Sequence, residues 1–362
     1  MRVPHDFLRA GAASGSLRAH IELSGGSRLS NETIALEILG TGEHTPAQRL
    51  PSSRIDATLD KPAGWIERVS GVRERGVAGP GETVLTMGAS AARGALAAAG
   101  LAASELDAIV GVGSVPAQAI PCTASLLQRE LGVGGSGIPA FDVNATCLGF
   151  LAALDLLAAT IQTGRHRRVM IVASEKPSCG LDWEDARTSA LFGDGAAAIV
   201  IGRSRHADAK LLATHFQTFG DDADLCRIRA GGTLLHPKQD LEAFLGATSF
   251  EMRGPQLYRS AAEVVPPFLE TLLARANVTA ADIDVWVPHQ ASGKALDHMQ
   301  EALSLPADKL VRTLATHGNQ VAASLPVALH RAFSSGQVRR GQTIALVGTG
   351  AGFSVGGAVL RV

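Results

Sequence analysis

The stretch FDVNATCLGFLAALDLLAAT, residues 141–160, decides how this chain is read. Its opening residues suit a short strand, and the Ala- and Leu-rich run behind them predicts a long helix. Cys147 stands where one hands over to the other. The first turn of a helix carries N–H groups without intrahelical partners and the positive end of the helix dipole, so a thiolate is favoured there. Deeper in a helix a lone cysteine is usually a small packing residue. Strand running straight into helix is also the repeating unit of an α/β protein, so one stretch points to both the fold class and the first candidate for chemistry.

Outward from it, apolar strand-like runs recur: IALEILGTG (34–42), LDAIVGVGSV (106–115), RRVMIVAS (167–174), AAAIVIGRS (196–204), IDVWVPHQ (283–290), KLVRTLAT (309–316) and TIALVGTGAG (343–352). Helical patterns separate them over 83–101, 148–164, 257–278 and 322–336. The alternation predicts an α/β fold with mainly parallel strands and helices on the sheet faces. The second half also echoes the first. LAASELDAIVGVGSVP and VTAADIDVWVPHQAS share one order of acidic turn, strand and polar loop, and NATCLGFLAALDLLAA and HGNQVAASLPVALHRAF each run from loop into apolar helix. We expect two similar halves, 32–205 and 206–362, facing each other across a pseudo-symmetry axis. Residues 1–31, rich in Gly, Ser and Arg, read as a flexible N-terminal extension.

With 362 residues, 46% of them hydrophobic, the chain can bury a large core. A formal net charge of −1 and an aromatic content of only 4% argue against a nucleic-acid binder. Cys122, Cys147, Cys179 and Cys226 show neither CxxC nor metal-site spacing, which predicts free thiols in a reducing cytoplasm. No apolar run approaches the roughly 18 residues of a membrane span, so no membrane partner is expected. No metal, nicotinamide or flavin site is indicated.

Three polar residues then stand out in apolar settings: Cys147, His289 in VPHQAS and Asn319 in HGNQVAAS. Each lies beside a strand-like run, at the loops where open α/β sheets collect ligands. A thiol, an imidazole and a carboxamide brought together can perform acyl transfer, with the thiol as nucleophile, the imidazole as donor or base and the amide as a fixed dipole for a developing oxyanion. Papain-like proteases have the same order of residues, but their cysteine sits in a different motif near a mature N-terminus. Asp194 in LFGDGAAAIVI is expected to bond backbone rather than substrate, and the glycines of GTGAGF to form a tight turn rather than a phosphate loop.

The motifs GWIERVSGVRERGVA (64–78), IPCTASLLQRELG (120–132), DVNATCLGF (142–150), ALFGDGAAAIVI (190–201), VPHQAS (287–292), HGNQVAASLPVAL (317–329) and GTGAGFSVGGAVL (348–360) follow one family order. In them the chain resembles the β-ketoacyl-acyl-carrier-protein synthase III family of the thiolase-like superfamily, from about residue 34 to the C-terminus. The resemblance implies a five-layer fold of two α/β halves, a homodimer, and Cys147, His289 and Asn319 as catalytic residues. An acyl group would pass from acyl-CoA to Cys147; a malonyl group on acyl carrier protein (malonyl-ACP) would then lose CO2 and attack the acyl-cysteine, with no permanently bound cofactor. The backbone N–H groups of Cys147 and Ala351 are the implied oxyanion hole for the acyl-cysteine. A thiol of pKa about 8.5 needs about 2 kcal/mol of differential stabilisation to reach 7, and a helix N-terminus can supply about 0.3–2 kcal/mol of it, so a lowered thiol pKa is expected.

The resemblance also has gaps. Trp65 matches the tryptophan of the family's coenzyme A portal, but the two expected arginines fall on Val69 and Ala186, with Arg68 and Arg187 one place away. Of the basic carrier-docking patch Lys294 remains, while two expected lysines read Glu301 and Ala302. Ile120, Leu148 and Phe353 are further implied substrate contacts, Ile120 reaching the partner subunit's pocket. A secondary-metabolism ketosynthase with a carrier-bound or longer acyl donor is therefore the alternative, and a non-catalytic partner subunit a third reading that an intact Cys147 opposes.

Overall fold

The structure, a computed structural model, describes residues 33–206 and 208–362. The expected N-terminal extension lies outside them. From residue 33 onward the described residues build two large sheets, beside two small two-stranded ones. The first holds β1 (Leu36–His44), β2 (Ala108–Val112), β3 (Ala140–Val143), β4 (Arg168–Glu175) and β5 (Gly195–Arg203) in the order β1-β5-β4-β2-β3. The second holds β6 (Lys210–Thr218), β7 (Val285–Pro288), β8 (Thr343–Gly350) and β9 (Ser354–Arg361) in the order β7-β8-β9-β6.

Both sheets are mixed, which corrects the expectation of mainly parallel strands. β2 runs parallel to β3 and β4, and β7 parallel to β8. The remaining neighbours, β4 with β5, β5 with β1, β8 with β9 and β9 with β6, are antiparallel. The connections explain this. β8 turns back into β9 within a few residues, and the segment after Glu175 returns to the same end of the sheet, where Glu175 pairs with Gly195. A parallel pair needs a crossover along the whole sheet, which neither connection makes.

Side-chain alternation sorts each strand between two apolar layers. Val169, Ile171 and Ala173 of β4 face a central core, while Met170 and Val172 face an outer one. In β8, Ile344 and Leu346 face the same central core, and Ala345 and Val347 a third cluster. Helices fill these layers: α1 (Val84–Ala99) on the outer face of the first sheet, α2 (Gly149–Gln162) and α4 (Ser324–Ser334) between the sheets, and α3 (Gly254–Ala276) on the outer face of the second. The result is helix, sheet, helix, sheet, helix: the five layers of a thiolase-like fold. The central pair α2 and α4 is apolar nearly all round because both flanks are sheet.

KLVRTLAT is not a strand. Leu310 makes a single bridge to Trp286, and Leu314–His317 is a short helix. Arg312 turns out to pair with Asp297, and the backbone N–H groups of Thr313 and Leu314 go to the Gln290 side chain instead of a neighbouring strand. Lys210–Thr218, by contrast, is an edge strand without a strong apolar run, because several of its side chains are only half-buried.

α1 lies almost on the backbone of β1. A Cβ on Gly42 would come within 2.3 Å of the Ala91 carbonyl oxygen and 2.5 Å of the Ala95 nitrogen. Gly42→Ala is therefore expected to destabilise the protein by about 1–3 kcal/mol, the cost typical of forcing volume into a tight core. A thermal-unfolding midpoint unchanged from wild type would show that α1 can lift off the sheet freely.

Candidate active site

Two matching turns build the site. In the first half, Asn144 Oδ1 accepts the Thr146 N–H at 2.9 Å, Thr146 takes a left-handed φ of 49°, and the chain enters α2 through Cys147. In the second, Asn319 Oδ1 accepts the Val321 N–H at 2.8 Å, Val321 has φ 52°, and the chain enters α4 through Ala322. Each asparagine also sends its Nδ2 to a carbonyl at 3.4 Å: Ser114 beyond β2 for Asn144, Ala291 beyond β7 for Asn319. A positive φ is strained for β-branched residues such as Thr and Val, typically by about 1–3 kcal/mol, and an asparagine side chain that bonds the backbone two residues on offsets that strain.

Cys147 is half-buried as a residue, yet its sulfur is enclosed closely enough that burial pushes the thiol up to about 12. The neighbouring Cys226 and Glu175 side chains push the same way, while the N–H groups of Ala351 and of Cys147 itself, set close to the sulfur, oppose them. The expected lowering of the thiol pKa is thus corrected. The helix start is present, but desolvation of the charged form outweighs it. The two N–H groups at the sulfur are the pair expected to form the oxyanion hole. Thr146 Oγ1 fixes the Ala351 segment by donating to its carbonyl at 3.1 Å.

His289 follows β7 and is 5% exposed. Burial lowers its pKa to about 4, so the imidazole is neutral at ordinary pH. Its Nδ1 is sealed without a partner. Gly348 of β8 brings it next to the Cys147 turn: a Cβ there would meet His289 Cβ at 2.8 Å and Leu148 Cδ2 at 3.2 Å. Asn319 is equally buried, at 6%. Its oxygen accepts from Val321 N–H and from Ser324 Oγ at 3.2 Å, which orients the amide and leaves Nδ2 as the donating end. Its Nδ2 contact to Ala291 ties it to the His289 loop.

Sequence reasoning missed three neighbours. Gln290 is fully buried; its Nε2 donates to the Pro288 and Val311 carbonyls and its Oε1 accepts from Thr313 and Leu314, so it holds the path from His289 to Asn319. Glu175, the last residue of β4, accepts the N–H groups of Ser114 at 2.7 Å and Ala322 at 3.3 Å. Cys226, whose thiol burial pushes up to about 11, lies near enough to act on Cys147.

The peripheral candidates sit as follows. Trp65 is half-buried at the start of a helix whose Gly64 and Ile66 N–H groups are capped by the buried Asp56 carboxylate, and the Lys61 ammonium stands 5.5 Å over its ring. Arg68 is exposed on that helix. Arg187 falls in the short helix Ala186–Ser189, and its side chain lies outside what is described. Ile120 is 83% exposed, and Lys294 is exposed at the start of the helix Gly293–Ala302. Leu148 is buried beneath Gly348, Gly350 and Gly356, so its bulk is met by glycines inside the central core rather than offered to a substrate. Phe353 is buried too, its ring 5.6 Å from that of Phe219. Asp194 accepts from Ala78 N–H, Ser178 N–H and Ser178 Oγ, a purely internal role. Among the described residues no group of three or more His, Cys, Asp or Glu could hold a metal, and no helix is long and apolar enough to cross a membrane.

Fold and site together define a thiolase-like condensing acyltransferase. Family models of 3-oxoacyl-[acyl-carrier-protein] synthase III match residues 141–220 and, for its C-terminal part, 273–362. The β-ketoacyl-[acyl-carrier-protein] synthase III of Laribacter hongkongensis is 36% identical over 324 residues, covering 90% of this chain and 98% of that one. The synthase III structure from Aquifex aeolicus superimposes with a TM-score of 0.82 at 32% identity, covering 91% of this chain and 100% of that one. The priming β-ketosynthase of the R1128 polyketide pathway gives 0.83 at 30% identity, covering 91% and 97%. The chain belongs to the β-ketoacyl-[acyl-carrier-protein] synthase III family.

A buried, neutral thiol has a specific signature. The rate of Cys147 alkylation by iodoacetamide should climb steadily, close to tenfold per pH unit, from pH 7 to 9, because the whole range lies below the raised pKa. A plateau below pH 8 would mean that the free protein already holds a thiolate.

Proposed function

We propose that the protein condenses an acyl thioester with malonyl-ACP. The acyl group moves from its donor, acyl-CoA in the leading reading, to Cys147; the malonyl group then loses CO2, and the resulting carbanion attacks the acyl-cysteine carbonyl to give a β-ketoacyl thioester and free Cys147. The observation that carries the reading is the pairing of Cys147, whose sulfur already faces two backbone N–H donors, with a neutral His289 and an Asn319 amide oriented to donate. A neutral imidazole and a carboxamide N–H suit the thioester oxygen as enolate charge builds, where one such donor is worth about 3–4 kcal/mol. The raised thiol pKa fits a nucleophile that loses its proton only as the thioester arrives.

We place this activity in a cytoplasmic homodimer. β3 ends the first sheet with an open edge carrying the half-exposed Phe141, and Ile120 projects nearby in sequence, which supports pairing through that edge. The missing portal arginines keep the carrier-bound donor of the alternative reading open, with Lys61 over Trp65 as the cation actually present there.

Intact-protein mass spectrometry tests the acyl-enzyme. Wild type should gain one acyl mass from an acyl-CoA panel and Cys147→Ser none; His289→Ala and Asn319→Ala should load normally but lose malonyl decarboxylation by about a hundredfold or more. Complete loss of loading in His289→Ala would overturn the division of roles. Trp65→Ala is expected to raise the KM for acyl-CoA several-fold while leaving acylation from a carrier protein unchanged. Equal losses with both donors would remove Trp65 from the donor's path.

A further inference from the structure

The two matching turns differ at one point. In the Cys147 half, the N–H of Cys147 lies by its own sulfur and favours the thiolate. In the other half, the N–H at the corresponding place belongs to Ala322, and it is taken by Glu175. The same carboxylate oxygen accepts the Ser114 N–H, so one side chain links the end of β4, the loop after β2 and the turn that Asn319 opens. Glu175 is 4% exposed, so an unpaired N–H left there would have no water to turn to.

We propose that Glu175 is a positioning residue for the decarboxylating half of the site: by holding the Ala322 and Ser114 N–H groups it fixes the Asn319 turn and, with it, the amide that meets the malonyl thioester. The proposal rests on the condensing reading above for its kinetic consequence, but not for the tether itself. Two chemical features follow from the geometry. The tether needs an acceptor oxygen rather than a charge, so glutamine can replace glutamate. The carboxylate charge also acts on the nucleophile, since Glu175 is among the groups that disfavour the Cys147 thiolate.

The surroundings give this charge a working range. Burial raises the Glu175 carboxyl to about 7, against the two N–H bonds, and Asp194 adds to the rise. Its charge in turn disfavours the Cys147 thiolate, while Ser114 and Ala322 bring their backbone N–H groups. Lys176, next in the chain, acts on Asp194. Above pH 7 the ionised carboxylate therefore opposes thiolate formation, and below it that opposition fades.

Glu175→Gln and Glu175→Ala, made in the full chain, separate these effects. Hydrogen exchange followed by mass spectrometry should show the segment around Ser114 and the segment 319–324 exchanging at least tenfold faster in Glu175→Ala and at the wild-type rate in Glu175→Gln. In turnover, Glu175→Ala should lose tenfold or more in kcat for malonyl decarboxylation while still loading Cys147, and Glu175→Gln should stay within about threefold of wild type. Unchanged exchange in Glu175→Ala overturns the tether, and loading and decarboxylation falling together overturn the assignment to the Asn319 half. If wild type itself loads no acyl group while exchange responds as expected, the condensing reading fails and the tether stands.

Discussion

Everything at the centre of this protein hangs on an asparagine side chain that bonds the backbone two residues on. Asn144 and Asn319 each hold a β-branched residue in a left-handed conformation just before a central helix. Without that bond the strained φ at Thr146 or Val321 has little to keep it. With it, the chain turns sharply enough to enter a helix between the sheets. One copy of the turn delivers the Cys147 thiol, and the other orients the Asn319 amide with Nδ2 as its donating end.

Desolvation sets the protonation state of what those turns carry. The enclosure that makes His289 a neutral donor makes the Cys147 thiolate costly and keeps Glu175 near the middle of its titration. These are one effect with different signs, because burial penalises whichever form is charged. The backbone N–H groups at Cys147 and Ala351 offset part of that penalty at the sulfur. Such preorganised donors gain strength in the same dry setting that penalises the free thiolate, so they act most when charge develops during reaction.

Away from the centre the site is less uniform. Trp65 opens a helix braced by Asp56 and lies under the Lys61 ammonium, while Val69 and Ala186 stand where the resemblance led us to expect arginines. Leu148 reads as a steric intrusion until its environment is seen: three glycines across the central layer make room for it. A side chain that alters specificity in one packing context is absorbed in another, and only the opposite face of the contact reveals which.

The alternation of apolar runs, the echo between halves and the placing of Cys147 and His289 after strand ends were legible in the sequence because each depends on local periodicity and spacing, whereas Asn319 follows a short helix and not the strand its neighbouring run suggested. Strand direction was not, since it depends on where the connections return. Nor was the fate of KLVRTLAT, whose backbone donors are claimed by Gln290, a residue adjacent to His289 and distant in sequence from the segment it holds. The sequence by itself determined which chemical groups this protein owns and the layered class of fold that carries them. The tertiary structure alone decided their charge states and orientations, because burial, the two N–H groups at the sulfur and the Glu175 tether all arise from segments that meet only when the sheets close around the central helices.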